Sequence, residues 1–184
     1  MAHDLDPEYA TVGGMLLAPE QLDRVAGWLR PTDFAQPACA EVYGVLLTMR
    51  TDAELIDPVT VLARLRRDGR LDRGAFLTTE LIRMVETVPA PVSTPYYASL
   101  VLEAAMFRTI EMAGGRLAQV GHNQRGTVAD AFTTVGEMIA ELRSQRERWQ
   151  QADAGRAPAA LRVVEPHPLE REVEQVRMSA ARER

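Results

Sequence analysis

A site that does chemistry needs a nucleophile, a set of metal ligands, a tuned acid and base, or a cationic patch for phosphate, and this sequence offers few residues for any of them. Cys39 stands alone, cannot form an internal disulfide and lies in an Ala-rich helical stretch, so it reads as a small buried core residue rather than a nucleophile. His3, His122 and His167 fall in a terminus, a polar turn and a Pro-rich stretch, and no two have the spacing of a metal site. Asp4, Asp6 and Glu8 gather at the start of a helix, where the positive end of the dipole accounts for them without general acid or base work. Arg64, Arg66, Arg67 and Arg70 form one basic cluster, and Arg143, Arg146 and Arg148 with Trp149 form another that could stack on a single strand. Both read first as solvated helix faces; Arg64, Arg67, Arg70, Arg143 and Arg146 are the candidate contacts of an alternative function, a nucleic-acid-binding regulator.

An absence is more decisive. All 21 cationic residues are arginine. A P-loop needs its lysine to reach the terminal phosphates and a Schiff-base enzyme needs a lysine amine, so neither chemistry resides in these residues. The expectation is a non-catalytic protein with no catalytic, cofactor-binding or metal site.

The elements that would carry any function are dominated by residues 94–151. There Tyr97, Leu100, Ala104, Phe107, Ile110, Gly114, Leu117 and Gly121 recur at alternating steps of three and four, the period of one helix face. Val128, Phe132, Val135, Ile139, Leu142 and Trp149 repeat the rule in a second arm. Between them His122-Asn123-Gln124-Arg125-Gly126 is polar, ends one helix and leaves Thr127 to cap the next. The prediction is an antiparallel helical hairpin with arms of about 40 and 33 Å. Met138, Phe132 and the small residues Ala113, Gly114 and Gly115 leave apolar surface that one partner helix cannot cover. Tyr97, Gly114, Leu117, Val128, Phe132, Val135, Met138 and Ile139 are therefore the candidate oligomer or partner interface. An ordinary intramolecular bundle, with the head folded back over the hairpin, fits the pattern as well.

Residues 5–93 read as a compact helical head. Asp6-Pro7-Glu8 opens a helix whose buried face is Tyr9, Val12, Leu16 and Leu17, and Gly13-Gly14 at its middle implies a close helix crossing. A second helix follows Ala18-Pro19 with Leu22, Val25, Ala26 and Leu29, and Phe34 plugs the core from the turn after it. Further helices run over 37–49, over 58–68 with Asp57 as cap and Gly69 as the left-handed stop, and over 74–87 with Phe76, Leu77, Leu81 and Val85 inside. No period-2 segment of useful length appears, so the class is all-α. The chain has 184 residues, 46% of them hydrophobic, enough for one domain plus appendages. Its net charge of −5 comes from residues 1–93, where 14 acids face 9 arginines. No apolar run approaches a membrane span and no leader pattern opens the chain, so a soluble, cytoplasmic protein is expected.

Taken in order, Glu8, Val12-Gly13-Gly14-Met15-Leu16-Leu17, Pro19-Glu20, Leu29-Arg30-Pro31-Thr32-Asp33-Phe34, Val42-Tyr43, Ile56-Asp57-Pro58-Val59-Thr60-Val61, Leu65, Gly69-Arg70-Leu71, Val88-Pro89, Tyr96-Tyr97-Ala98, Val101, Glu103 and Arg108 make a specific pattern. It resembles the N-terminal, collar-forming domain of DnaB-type replicative DNA helicases, from Asp6 to about Trp149. The resemblance implies a helical head and hairpin, dimers that build a ring-shaped collar, and docking of primase, without catalytic residues. The family's ATPase domain is missing, and Pro37-Ala38-Cys39-Ala40 replaces a segment that usually carries basic or aromatic residues.

Residues 152–168 are rich in Ala and Pro and read as a flexible linker. Residues 169–184 read as a short helix or a frayed terminus; in the family a linker helix follows the collar. The expectation is a free-standing, non-catalytic oligomerisation and docking module linked to DNA replication: a homodimer or larger homo-oligomer, with a replicative helicase, primase or helicase loader as further partners.

Overall fold

The computed structural model describes residues 6–69, 76–122 and 127–155. Within them the chain forms seven α-helices and no strand: α1 (Pro7–Leu17), α2 (Glu20–Val25), α3 (Pro37–Thr51), α4 (Pro58–Arg67), α5 (Phe76–Glu86), α6 (Thr94–His122) and α7 (Val128–Gly155), with 3₁₀ turns at Pro31–Asp33 and Pro91–Ser93. The polar break at 123–126, Arg70, residues 156–168 of the expected linker and the segment 169–184 lie outside the described residues, as do His3, Asp4 and His167. The start of that linker is corrected, because residues 152–155 continue α7 and Ala152 is buried in the core.

Local rules set most helix ends. The Asp6 carboxylate accepts from the Glu8 amide at 3.0 Å, and the Asp57 carboxylate accepts from Val59 and Thr60 at 2.7 and 2.8 Å. Thr60 returns the favour, its hydroxyl accepting from the Asp57 amide at 3.0 Å, which completes a reciprocal cap. Gly69 stops α4 at φ 66°, the left-handed conformation that glycine tolerates best.

The head core is built around α1, which packs on α5 and α6. Its paired glycines are what permit this. A Cβ on Gly13 would sit 2.0 Å from the Met84 carbonyl oxygen and 2.6 Å from Val88 Cγ2; one on Gly14 would sit 2.0 Å from Thr94 Oγ1. Met15, Leu22, Val25, Val42, Tyr43, Leu46, Val61, Leu65, Met84 and Leu102 fill the interior, with the Phe34 ring tilted against Tyr43 at a centroid distance of 5.2 Å. Glu8 does not face solvent chemistry: its carboxylate accepts from the amides of Ala35 and Gln36, both at 2.7 Å, and ties α1 to the start of α3.

Three expectations change. Leu17, the last residue of α1, is 46% exposed rather than part of the buried face. The second helix is shorter than its apolar spacing suggests, Ala26 is exposed, and Trp28 joins the core beyond its end, its indole N–H donating to the Arg24 carbonyl. Leu29 is buried from the loop rather than from the helix. The side chains of Phe76 and Leu77 lie outside the described part, while Leu81 and Met84 are buried as the face of α5.

Candidate functional site

The two long helices leave the head at one end and run free at the other. The first turns of α6 are core: Tyr97, Ala98, Val101, Leu102 and Ala105 are buried. Past them the helix opens out, with Phe107, Ile110, Met112 and Leu117 between 49% and 66% exposed. On α7 the reciprocal bonds of Thr127 and Asp130 cap the start, and hydrogen bonds from Thr127 hold the Asp130 carboxyl below the usual range. Val128 and Phe132 are each 73% exposed, Ile139 45%, and no residue of α7 before Arg148 is buried.

Of the eight residues predicted for the interface, Tyr97 is corrected: it is closed into the chain's own head and is 6% exposed. The others lie on the hairpin, but on two different rows. Val135 and Met138 are half-buried on the side of α7 that turns to α6, where Met138, Leu142 and Ala113 line the cleft between the arms. Gly114, Leu117, Val128, Phe132 and Ile139 are exposed. The seam and the open face are thus exchanged relative to the expectation for Met138 and Ala113. Adjacent helix rows share one period, so spacing alone cannot say which row meets the other arm. Gly114 has nothing within 4 Å of the position a Cβ would take.

The base of the hairpin is organised by one residue that the sequence reading passed over. Asp33, in the Pro31–Asp33 turn, takes an ion pair on its carboxylate from Arg148 of α7, and its carbonyl accepts from Arg108 of α6. The same carboxylate accepts from the Arg30 amide at 2.7 Å. Arg148 also donates to the Trp28 carbonyl at 2.9 Å and to Gln145 Oε1 at 2.7 Å. It is neither a solvated residue nor a nucleic-acid contact. One signal was there to be read: Gln145, Arg148 and Ala152 continue the inward row of Met138 and Leu142 at helical spacing. Between this node and the tip, the arms enclose a cleft of about 580 Å³ with Met112, Ala113, Met138 and Leu142 as its apolar part and Arg108, Arg116, Glu137 and Glu141 among its charges.

The arginine candidates do not converge. Arg64 pairs with Glu54, Asp68 and Asp52 at 2.9 to 3.2 Å, and Arg67 reaches Glu54 at 3.1 Å. The Arg67 and Arg64 guanidinium groups hold the Glu54 carboxyl below its ordinary range. Arg143 and Arg146 are exposed on α7, which packs on α6, whereas α4 packs on α3 and α5. Cys39 is fully buried, and burial pushes its thiol far up, which removes the thiolate a nucleophile needs. His122 Nδ1 lies 2.7 Å from the Ala118 carbonyl, within its own helix. Among the described residues no three His, Cys, Asp or Glu side chains gather as metal ligands, and no helix is long and apolar enough to cross a membrane.

The family model of the DnaB-like helicase N terminal domain matches residues 1–103. The chain is 34% identical over 145 residues to the replicative DNA helicase DnaB of Leifsonia xyli, covering 79% of this chain and 32% of that protein. It is 39% identical over 122 residues to the replicative DNA helicase DnaB of Mycobacterium leprae, covering 65% of this chain and 20% of that one. The chain therefore spans a third or less of the length of these two relatives. The crystal structure of the N-terminal domain of DnaB helicase from Mycobacterium tuberculosis superposes with a TM-score of 0.66 at 36% identity, covering 76% of this chain and 97% of that one.

Proposed function

The chain belongs to the DnaB-like helicase N-terminal domain family, and from that premise we propose that it is a non-catalytic module of DNA replication that assembles through the distal half of its hairpin. The observation that supports this is the open row itself. Phe107, Val128 and Phe132 are each about two-thirds exposed or more, on helices whose other faces carry the seam and the charges. Apolar side chains at this density on a projecting element gain most when another apolar helix face covers them.

The favoured occupant is another hairpin of the same family, in a second copy of this chain or in a replicative helicase, because like surfaces pair about a two-fold axis. Docking of primase or of a helicase loader is a further role for the same module. Catalysis has no part in this reading, since the chain holds no lysine for a P-loop. The nucleic-acid alternative has less support: the carboxylates around Arg64 and Arg67 already occupy the charges it would use on α4. Light scattering across a concentration series, alone and with the host's replicative helicase, tests the proposal. Homo-oligomers or mixed assemblies are expected; a strict monomer at high concentration with no mixed species overturns it.

A further inference from the structure

The ion pair at the base of the hairpin is costly by construction. The side chains of Arg148 and Asp33 are 7% and 5% exposed, and removing two charges from water takes back much or all of what their attraction gives. Stability alone is therefore a poor reason for the pair. What it does supply is direction. Arg148 must meet the Trp28 carbonyl, Gln145 Oε1 and the Asp33 carboxylate together, and Asp33 must also meet Arg30 and Arg108. Together these contacts orient the last turns of α7 against the head.

Among the described residues, no comparable set of bonds holds α7 further out. No residue of α7 before Arg148 is buried, and the arms are parted by the cleft that begins at Thr32 and Asp33. The first turns of α6 anchor that arm in the head, with Tyr97, Ala98, Val101, Leu102 and Ala105 buried, whereas packing along α7 leaves the placement of the second arm loosely specified. We propose that the Asp33–Arg148 pair, with Arg108, is a latch that sets the angle at which α7, the second arm of the hairpin, seats against the head and α6. A directional polar contact selects one geometry where apolar contact would accept several. The inference concerns a single copy of the chain and does not depend on whether hairpins pair.

The test uses the full chain with spin labels on Glu20→Cys and Thr133→Cys, both exposed positions, diluted with unlabelled protein so that only intramolecular distances count. Cys39 is fully buried and stays unlabelled in the folded protein. The distance distribution between head and hairpin is measured in the parent, in the Asp33→Leu/Arg148→Met double variant and in Arg148→Lys. Apolar replacement of a buried pair commonly preserves the fold, so the double variant should melt cooperatively yet show a distribution about twofold wider than the parent. Arg148→Lys keeps the charge but loses the planar fork, and should fall between the two. A double variant as narrow as the parent overturns the latch, because packing then sets the angle. Unfolding of both variants also overturns it, because the pair would then be a stability element and nothing more.

Discussion

Phe132→Ser separates the fold from the assembly more cleanly than any other single change. The ring is 73% exposed in the isolated chain, so at a dilution where the parent is monomeric its removal should leave the thermal transition within about 2 °C of the parent, the usual outcome for surface substitutions. In an assembled hairpin the same ring would be covered. Burying a phenylalanine is worth about 2 kcal/mol when most of its surface is still to be lost from water. A two-fold interface contains the residue twice, so the variant should lose about 4 kcal/mol of association free energy, near a thousandfold in Kd. Sedimentation velocity over a dilution series reads this directly, with the melting curve as the control. If Phe132→Ser assembles as tightly as the parent, the open row of α7 is not the contact surface. If it instead melts far below the parent, the ring is covered within the chain and the exposure on which the reasoning rests is wrong.

The two classes of glycine should respond oppositely to alanine. Gly13→Ala brings a Cβ to 2.0 Å from a backbone oxygen and should cost about 3 kcal/mol, or roughly 10 °C in Tm, by differential scanning calorimetry. Gly136→Ala meets nothing within 4 Å and should raise stability of the dilute chain by up to about 1 kcal/mol through helix propensity. Asp57→Ala removes the acceptor of two amides at the start of α4 and should cost about 1 kcal/mol in urea unfolding. Glu54 has a folded pKa below its unfolded one, so its contribution is present above the unfolded value and is lost as pH falls through the folded value. Glu54→Gln should accordingly lower Tm at and above neutral pH and converge with the parent as pH falls below the ordinary carboxylate range, which flattens the acid limb of the curve of Tm against pH.

What could be read in the sequence is what a residue decides with its immediate neighbours. Asp6, Asp57 and Thr127 cap because a short side-chain acceptor before a helical run reaches the free amides wherever the run occurs. Gly69 and the Gly13-Gly14 pair announce a left-handed stop and a close crossing for the same kind of reason, and the structure supplies φ 66° and the Met84 carbonyl. The all-α class and the hairpin followed from helical spacing. The facing of its rows did not, since rows one residue apart carry the same period and only the packed structure chooses between them. Asp33 and Arg148 are 115 residues apart, and no local rule joins a turn aspartate to an arginine that sits among other charges. Trp28 escaped because it enters the core from beyond a helix rather than along one.

The exchange of rows also bounds the contact surface. The open row of α7 is apolar at Val128, Phe132 and Ile139, and the next positions at helical spacing toward the head are Arg143 and Arg146. On α6 it runs through Phe107, Ile110 and Leu117. Each row therefore offers about 15 Å of apolar surface rather than the full length of its helix. A partner that binds by burying apolar area must sit on those stretches. Arginines beyond the α7 stretch then act as a polar rim, setting which partners are tolerated more than how tightly any one is held. Charge reversal at Arg143 and Arg146 should for that reason alter partner choice and salt dependence while leaving self-association of the parent hairpin within about tenfold, because rim charges contribute little to affinity. Competition between this chain and a replicative helicase at two ionic strengths would measure it, and a collapse of self-association in that variant would show that the apolar stretch does not carry the contact.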